Sequence, residues 1–112
     1  MSNSHKSQIV IDIELDVNRV PEKITWDAPD GGVSKAPTKA VMMGVWDEKA
    51  KELLRIDLWT KDMLMDEMKQ FYHQTFLSLA DSFERATDEK NMAEDMRDFA
   101  AHFADKLDLI KK

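Results

Sequence analysis

Leu53-Leu54-Arg55-Ile56-Asp57-Leu58-Trp59-Thr60-Lys61-Asp62-Met63-Leu64-Met65-Asp66-Glu67-Met68 is the stretch on which the fold turns. Up to Trp59 the side chains alternate: Leu54, Ile56 and Leu58 oppose Leu53, Arg55, Asp57 and Trp59, the period of two of a strand. Beyond Trp59 the spacing changes. Met65, Met68, Tyr72, Phe76, Leu79 and Phe83 recur every three to four residues and draw one apolar face on a helix. Asp66 and Glu67 fall at its start, where the positive end of the helix dipole favours acids. A chain that switches period once, from two to 3.6, segregates its strands from its helices, which is the α+β pattern.

Upstream of this stretch, Ala40 to Trp46 is apolar on both alternating faces, and Asp47 to Ala50 is a short polar connection, so residues 40–59 read as a hairpin. A first hairpin precedes it. Ile9, Ile11, Ile13 and Leu15 alternate with Val10, Asp12, Glu14 and Asp16; Asn18 supplies a turn; Pro21 opens a second strand carrying Ile24 and Trp26. Between the hairpins, Asp27-Ala28-Pro29-Asp30-Gly31-Gly32 and the polar run through Pro37 to Thr38 read as the longest loop. Downstream, Thr87 to Lys90 breaks the helical spacing. Asn91 with Glu94 three residues later fits a capping box, and Met92, Met96, Phe99, Phe103 and Leu107 form the stripe of a second helix. The expected architecture is ββββαα: a four-stranded antiparallel meander followed by two helices laid on one sheet face. Residues 9–110 are expected to form its single domain behind a disordered polar tail, residues 1–8.

Composition narrows the function. The chain has 112 residues with 16 bases and 22 acids, a formal charge of −6. Nucleic-acid binding needs a basic footprint, and anionic membrane surfaces repel an acidic chain. The absence of cysteine removes disulfides, thiolate metal sites and cysteine nucleophiles. The longest apolar run, Ala40 to Trp46, has seven residues against the roughly 20 that span a bilayer. No signal segment opens the chain, so the expected compartment is the cytoplasm, with no membrane insertion.

Few residues suggest chemistry. Asp98 and His102 share a helix face at i,i+4 with Asp105 near, but a zinc-type site wants further ligands, and His5 and His73 lie far away in sequence. Asp12, Glu14 and Asp16 are ordinary outward carboxylates on a strand. Asp30-Gly31-Gly32 matches no phosphate-cradling pattern, and neither Ser78 nor Ser82 sits in a nucleophile elbow. No catalytic, cofactor or metal residues are assigned, and the chain reads as a non-enzyme. Trp59 alternates away from Leu58 and points with Asp57 to the outer sheet face. Aromatic residues are enriched at interfaces, so Asp57 and Trp59, with Asp27 and Asp30 at the edge of the patch, are the expected partner-binding residues. Eight methionines fall mostly on the core faces, where methionine fills irregular gaps.

Three stretches resemble a known family when taken together: Val20-Pro21-Glu22-Lys23-Ile24-Thr25-Trp26-Asp27-Ala28 running into Asp30-Gly31-Gly32; Ile56-Asp57-Leu58-Trp59-Thr60-Lys61-Asp62-Met63; and His73-Gln74-Thr75 through Phe83-Glu84-Arg85-Ala86-Thr87. In this order and spacing the chain is similar to the GldC family, small gliding-motility-associated proteins of the Bacteroidetes. The resemblance runs from about Ile9 to Leu109. It departs at Leu64, where proline is expected. It implies a cytoplasmic accessory to gliding and the linked type IX secretion machinery, acting through protein partners of that machinery, and it brings no catalytic residue, cofactor or substrate. Two readings from other classes stay open. One is a small-molecule or metal-binding domain with a pocket lined by Trp26, Trp46 and Tyr72; the other is a homodimer paired through an exposed edge strand.

Overall fold

The computed structural model describes residues 5–109. They form two compact units, divided between Met63 and Leu64. The first holds five strands: β1 (Val10–Leu15), β2 (Pro21–Ala28), β3 (Val33–Thr38), β4 (Ala40–Trp46) and β5 (Leu53–Trp59). The second holds two helices, α1 (Met65–Thr87) and α2 (Lys90–Lys106). The α+β order is as the change of period implies.

The strands divide where the sequence showed no boundary. β1, β2 and β3 make one antiparallel sheet with β2 in the middle, and β4 and β5 make a second. The segment expected to be a loop therefore contains β3, and the count is five strands in two sheets rather than four in one. Pro37 survives in β3 because β3 lies at an edge, where no ladder partner needs the missing N–H on the outer side. Its register slips between Trp26 and Ala28, and Lys35 takes a positive φ of 44° at this irregularity. The Asp27 carboxylate accepts the Lys35 backbone N–H at 2.8 Å and holds the distortion closed. A single 3-10 turn, Pro29–Gly31, links β2 to β3 and ends on Gly32 at φ 76°, a left-handed conformation glycine adopts without steric cost. Only Lys39 separates β3 from β4, and the Thr60 N–H donates to its carbonyl at 2.8 Å.

The tight ends follow from local chemistry. Between β1 and β2, Asp16 accepts the backbone N–H groups of Asn18 and Val20, and Arg19 takes a positive φ of 63°. Between β4 and β5, Asp47 accepts the N–H of Ala50. Ile24, at 1% exposure on the central strand, is the largest fully buried side chain of the described residues.

In the helical unit the completely buried apolar side chains of α1 and α2 are small. Ala80, Ala93, Ala100 and Ala104 have no exposed surface, so the helices approach closely. Phe76 stands edge-on to Phe99 and Phe103, with ring centroids at 5.4 and 5.0 Å. Helix α1 opens with the Leu64 N–H donating to the Glu67 carboxylate at 2.9 Å, one half of a capping box; the leucine side chain has no acceptor for the other half. It closes on Asp88 at φ 59°. That closure leaves only Asp88 and Glu89 before α2, which corrects the expected capping box: Glu89, not Asn91, is the N-cap, and Glu94 turns instead to Arg97.

Candidate functional site

Strand register decides which residues share a surface. In the β4–β5 sheet Trp46 stands opposite Leu53, Gly44 opposite Arg55, Met42 opposite Asp57 and Ala40 opposite Trp59. Paired residues of an antiparallel ladder lie on one face, so Trp46, Leu53, Arg55, Asp57 and Trp59 form a single surface. Trp46 is 70% exposed, Leu53 56% and Trp59 52%. Arg55 and Asp57 are bound to each other in this row, Nη2 to Oδ1 at 2.6 Å. Gly44 makes room for Leu53: a side-chain carbon at position 44 would stand 3.0 Å from Leu53 Cδ1. The result is a row of two indoles and a leucine around an oriented ion pair. Such amphipathic aromatic surface is characteristic of interfaces.

The structure brings Asp57 and Trp59 together on this face, as their alternation implies. Asp27 and Asp30 belong to the other sheet and its turn. Asp27 is engaged by the Lys35 backbone, and the Asp30 carboxylate faces His5 Nε2 at 3.2 Å. Trp46, expected to line a pocket, is instead a mostly exposed part of the indole face.

Three features went unread in the sequence. Lys61 Nζ lies 3.1 Å from Asp16 and 3.5 Å from Glu22, tying the turn after Trp59 to the β1–β2 connection. Hydrogen bonds from the Val20 backbone and from Lys61 hold the Asp16 carboxyl below its ordinary range. Nearby, the buried Thr60 hydroxyl donates to Asp62 and lowers that carboxyl too. Glu22, Lys39, Thr60 and Asp62 border an open depression of about 560 Å³.

The second feature is Arg97, which reaches Glu84 at 2.8 Å, Asp81 at 2.9 Å and Glu94 at 3.2 Å. The bonds to Glu84 and then Asp81 raise its pKa above the usual arginine value. The i,i+3 spacing of Glu94 and Arg97 was visible in sequence; the two acids from α1 needed the helix register.

The third is a groove of about 290 Å³ lined by Phe76, Leu79, Met92, Asp95, Met96 and Phe99. Met92 and Phe99 were expected in the core, yet both are more than half exposed. His102 lies beside Phe99, ring centroids 6.1 Å apart. Among the described residues no group of three or more His, Cys, Asp or Glu is placed to hold a metal ion, and no helix is long and apolar enough to cross a membrane.

A family model described as gliding motility-associated protein GldC-like matches residues 21–109, from the first residue of β2 to just past α2. No curated protein and no solved structure matches the chain.

Proposed function

The chain belongs to the GldC-like family of gliding motility-associated proteins, and from that premise we propose that it is a non-enzymatic protein-interaction module that supports the gliding and type IX secretion apparatus from the cytoplasmic side. The observation that carries this reading is the β4–β5 face. Two exposed tryptophans and Leu53 surround the Arg55–Asp57 pair, so desolvating the face on a partner buries much apolar area. The pre-formed ion pair presents oriented charges to the same partner. Hot spots at interfaces are enriched in tryptophan and arginine, which is the chemistry of this row.

The test is affinity capture with crosslinking in native cells, comparing the wild type with a Trp59→Ala, Asp57→Lys double variant whose fold is verified by circular dichroism. The expected result is a gliding or secretion component retained by the wild type and lost by the variant. Retention of the same components by both forms, or of none by either, overturns the reading. So does turnover of a defined metabolite by the purified protein.

A further inference from the structure

A second interaction surface lies on the three-stranded sheet. Its two edges differ. The β3 edge carries Pro37 and the irregular Lys35, devices that block the addition of another strand. Strand β1 carries no proline and no positive φ, and its register against β2 shifts only at its far end, between Glu14 and Leu15. Its six residues pair with β2 on one side, and among the described residues no strand pairs with the other. The edge therefore offers a row of backbone donors and acceptors to an incoming strand.

The side chains of β1 specify what fits. Register with β2 places Ile11 opposite Trp26 and Ile13 opposite Ile24 on one face, and Asp12 opposite Thr25 and Glu14 opposite Lys23 on the other. An added strand continues both faces: apolar residues beside Ile11 and Ile13, and residues beside Asp12 and Glu14 that meet two carboxylates. The remaining strands lack this code. β4 bears no charge, and the charges of β5 are bound to each other.

A second copy is a poor match. Antiparallel pairing of β1 with itself in a register that keeps the isoleucines on one face sets Asp12 and Glu14 against Glu14 and Asp12 of the other copy. A register shifted by one residue sets isoleucine against carboxylate. Like charges directly opposite are destabilising, whereas opposite charges are favourable. We propose that the free edge of β1 takes up, by strand addition, an extended segment of another protein in which apolar residues alternate with lysine or arginine. Main-chain bonds supply affinity and the alternating side chains supply register, as in other strand-addition complexes. The site is separate from the indole face, and β1 precedes the span matched by the family model.

Three synthetic peptides long enough to span β1 test this on the full chain: alternating valine and lysine, alternating valine and glutamate, and a block peptide with the composition of the first but paired valines and paired lysines. Binding is followed by fluorescence anisotropy and mapped by amide hydrogen exchange. The expected result is that the valine–lysine peptide binds about tenfold or more tighter than either other peptide, weakens with added salt, and protects amides within residues 9–16. An Asp12→Lys, Glu14→Lys variant reverses the preference between the first two peptides. Should that variant fail to fold, the comparison of the alternating and block peptides on the wild type decides alone. Equal binding of the block peptide, no binding, or protection elsewhere overturns the proposal. A dimer by light scattering that the β1 variant dissolves gives the edge to a second copy and overturns it as well. The Trp59→Ala, Asp57→Lys variant retains peptide binding, so failure here and failure of the indole-face reading are told apart.

Discussion

Replacing Ile24 by alanine removes three carbon atoms from the most completely buried large side chain of the first unit. At roughly 0.8 kcal/mol per buried methylene the transfer loss alone is about 2.4 kcal/mol. The cavity adds to this where neighbours do not collapse, and the observed range for such truncations is about 2–5 kcal/mol. Ile24 sits on the central strand, paired with Ile13 on one side and Thr38 on the other, so both flanking strands must shift to close the gap. A loss of about 3 kcal/mol is the expected value. Ile56→Ala is the matched control: the same three carbons leave a side chain that is 51% exposed, so the expected cost is about 1 kcal/mol. The assay is urea unfolding followed by tryptophan emission, since Trp26, Trp46 and Trp59 all lie in the strand unit. With a slope of about 1–3 kcal/mol per molar urea, the Ile24 variant should fall by roughly 1–3 M in midpoint and the Ile56 variant by well under half of that. Equal shifts for the two variants would refute the burial argument, because they would mean that the Ile56 face of β5, opposite the indole row, is covered in solution as fully as the centre of β2.

Three further outcomes follow from the helices and turns. Ala100→Leu forces a larger side chain into the closed α1–α2 contact and should cost about 1–3 kcal/mol by thermal melting at 222 nm, while exposed Ala101→Leu stays near the wild type. Leu64→Pro keeps a compatible φ of −79° but removes the N–H that Glu67 accepts. Glu67→Ala should therefore cost the wild type about 0.5–1 kcal/mol more than it costs the proline variant, a coupling that a double-mutant cycle reads directly. Asp16 has a folded pKa below its ordinary 3.8, so its contribution to stability is complete above that value and is lost as pH falls through the lower, folded one. Thermal melts should show the wild type losing more stability than Asp16→Asn on acidification into that range; parallel losses would remove the carboxylate from the account.

What could be read in advance was set by period. A helix pattern sustained from Met65 to Phe83 outweighs local propensity, so the helices stand where the spacing put them. Trp59 shares a face with Asp57 for the same reason, since a strand offers only two directions. β3 was hidden because Pro37 and the polar residues around it are turn chemistry in isolation. Only its place at an edge, a tertiary fact, makes the proline harmless. The division into two sheets was equally hidden, for the chain passes from β3 to β4 through Lys39 alone, and one lysine carries no turn signature.

The same limit explains the misplaced side chains of α2. Met92, Met96, Phe99 and Phe103 share a stripe with the alanines that make the helix contact, and periodicity gives the direction of a stripe without giving its width. Two helices in contact through Ala80, Ala93, Ala100 and Ala104 use only the narrow centre of their apolar faces. Phe103 and Phe99 both pack edge-on against Phe76, and Phe99 and Met92, more than half exposed at the margin, line the groove. Arg97 stands at the far margin, and there the acids of α1 neutralise it. The polar and apolar margins of one contact thus follow from how few degrees of helix surface a row of alanines occupies, a quantity that hydropathy alone does not encode.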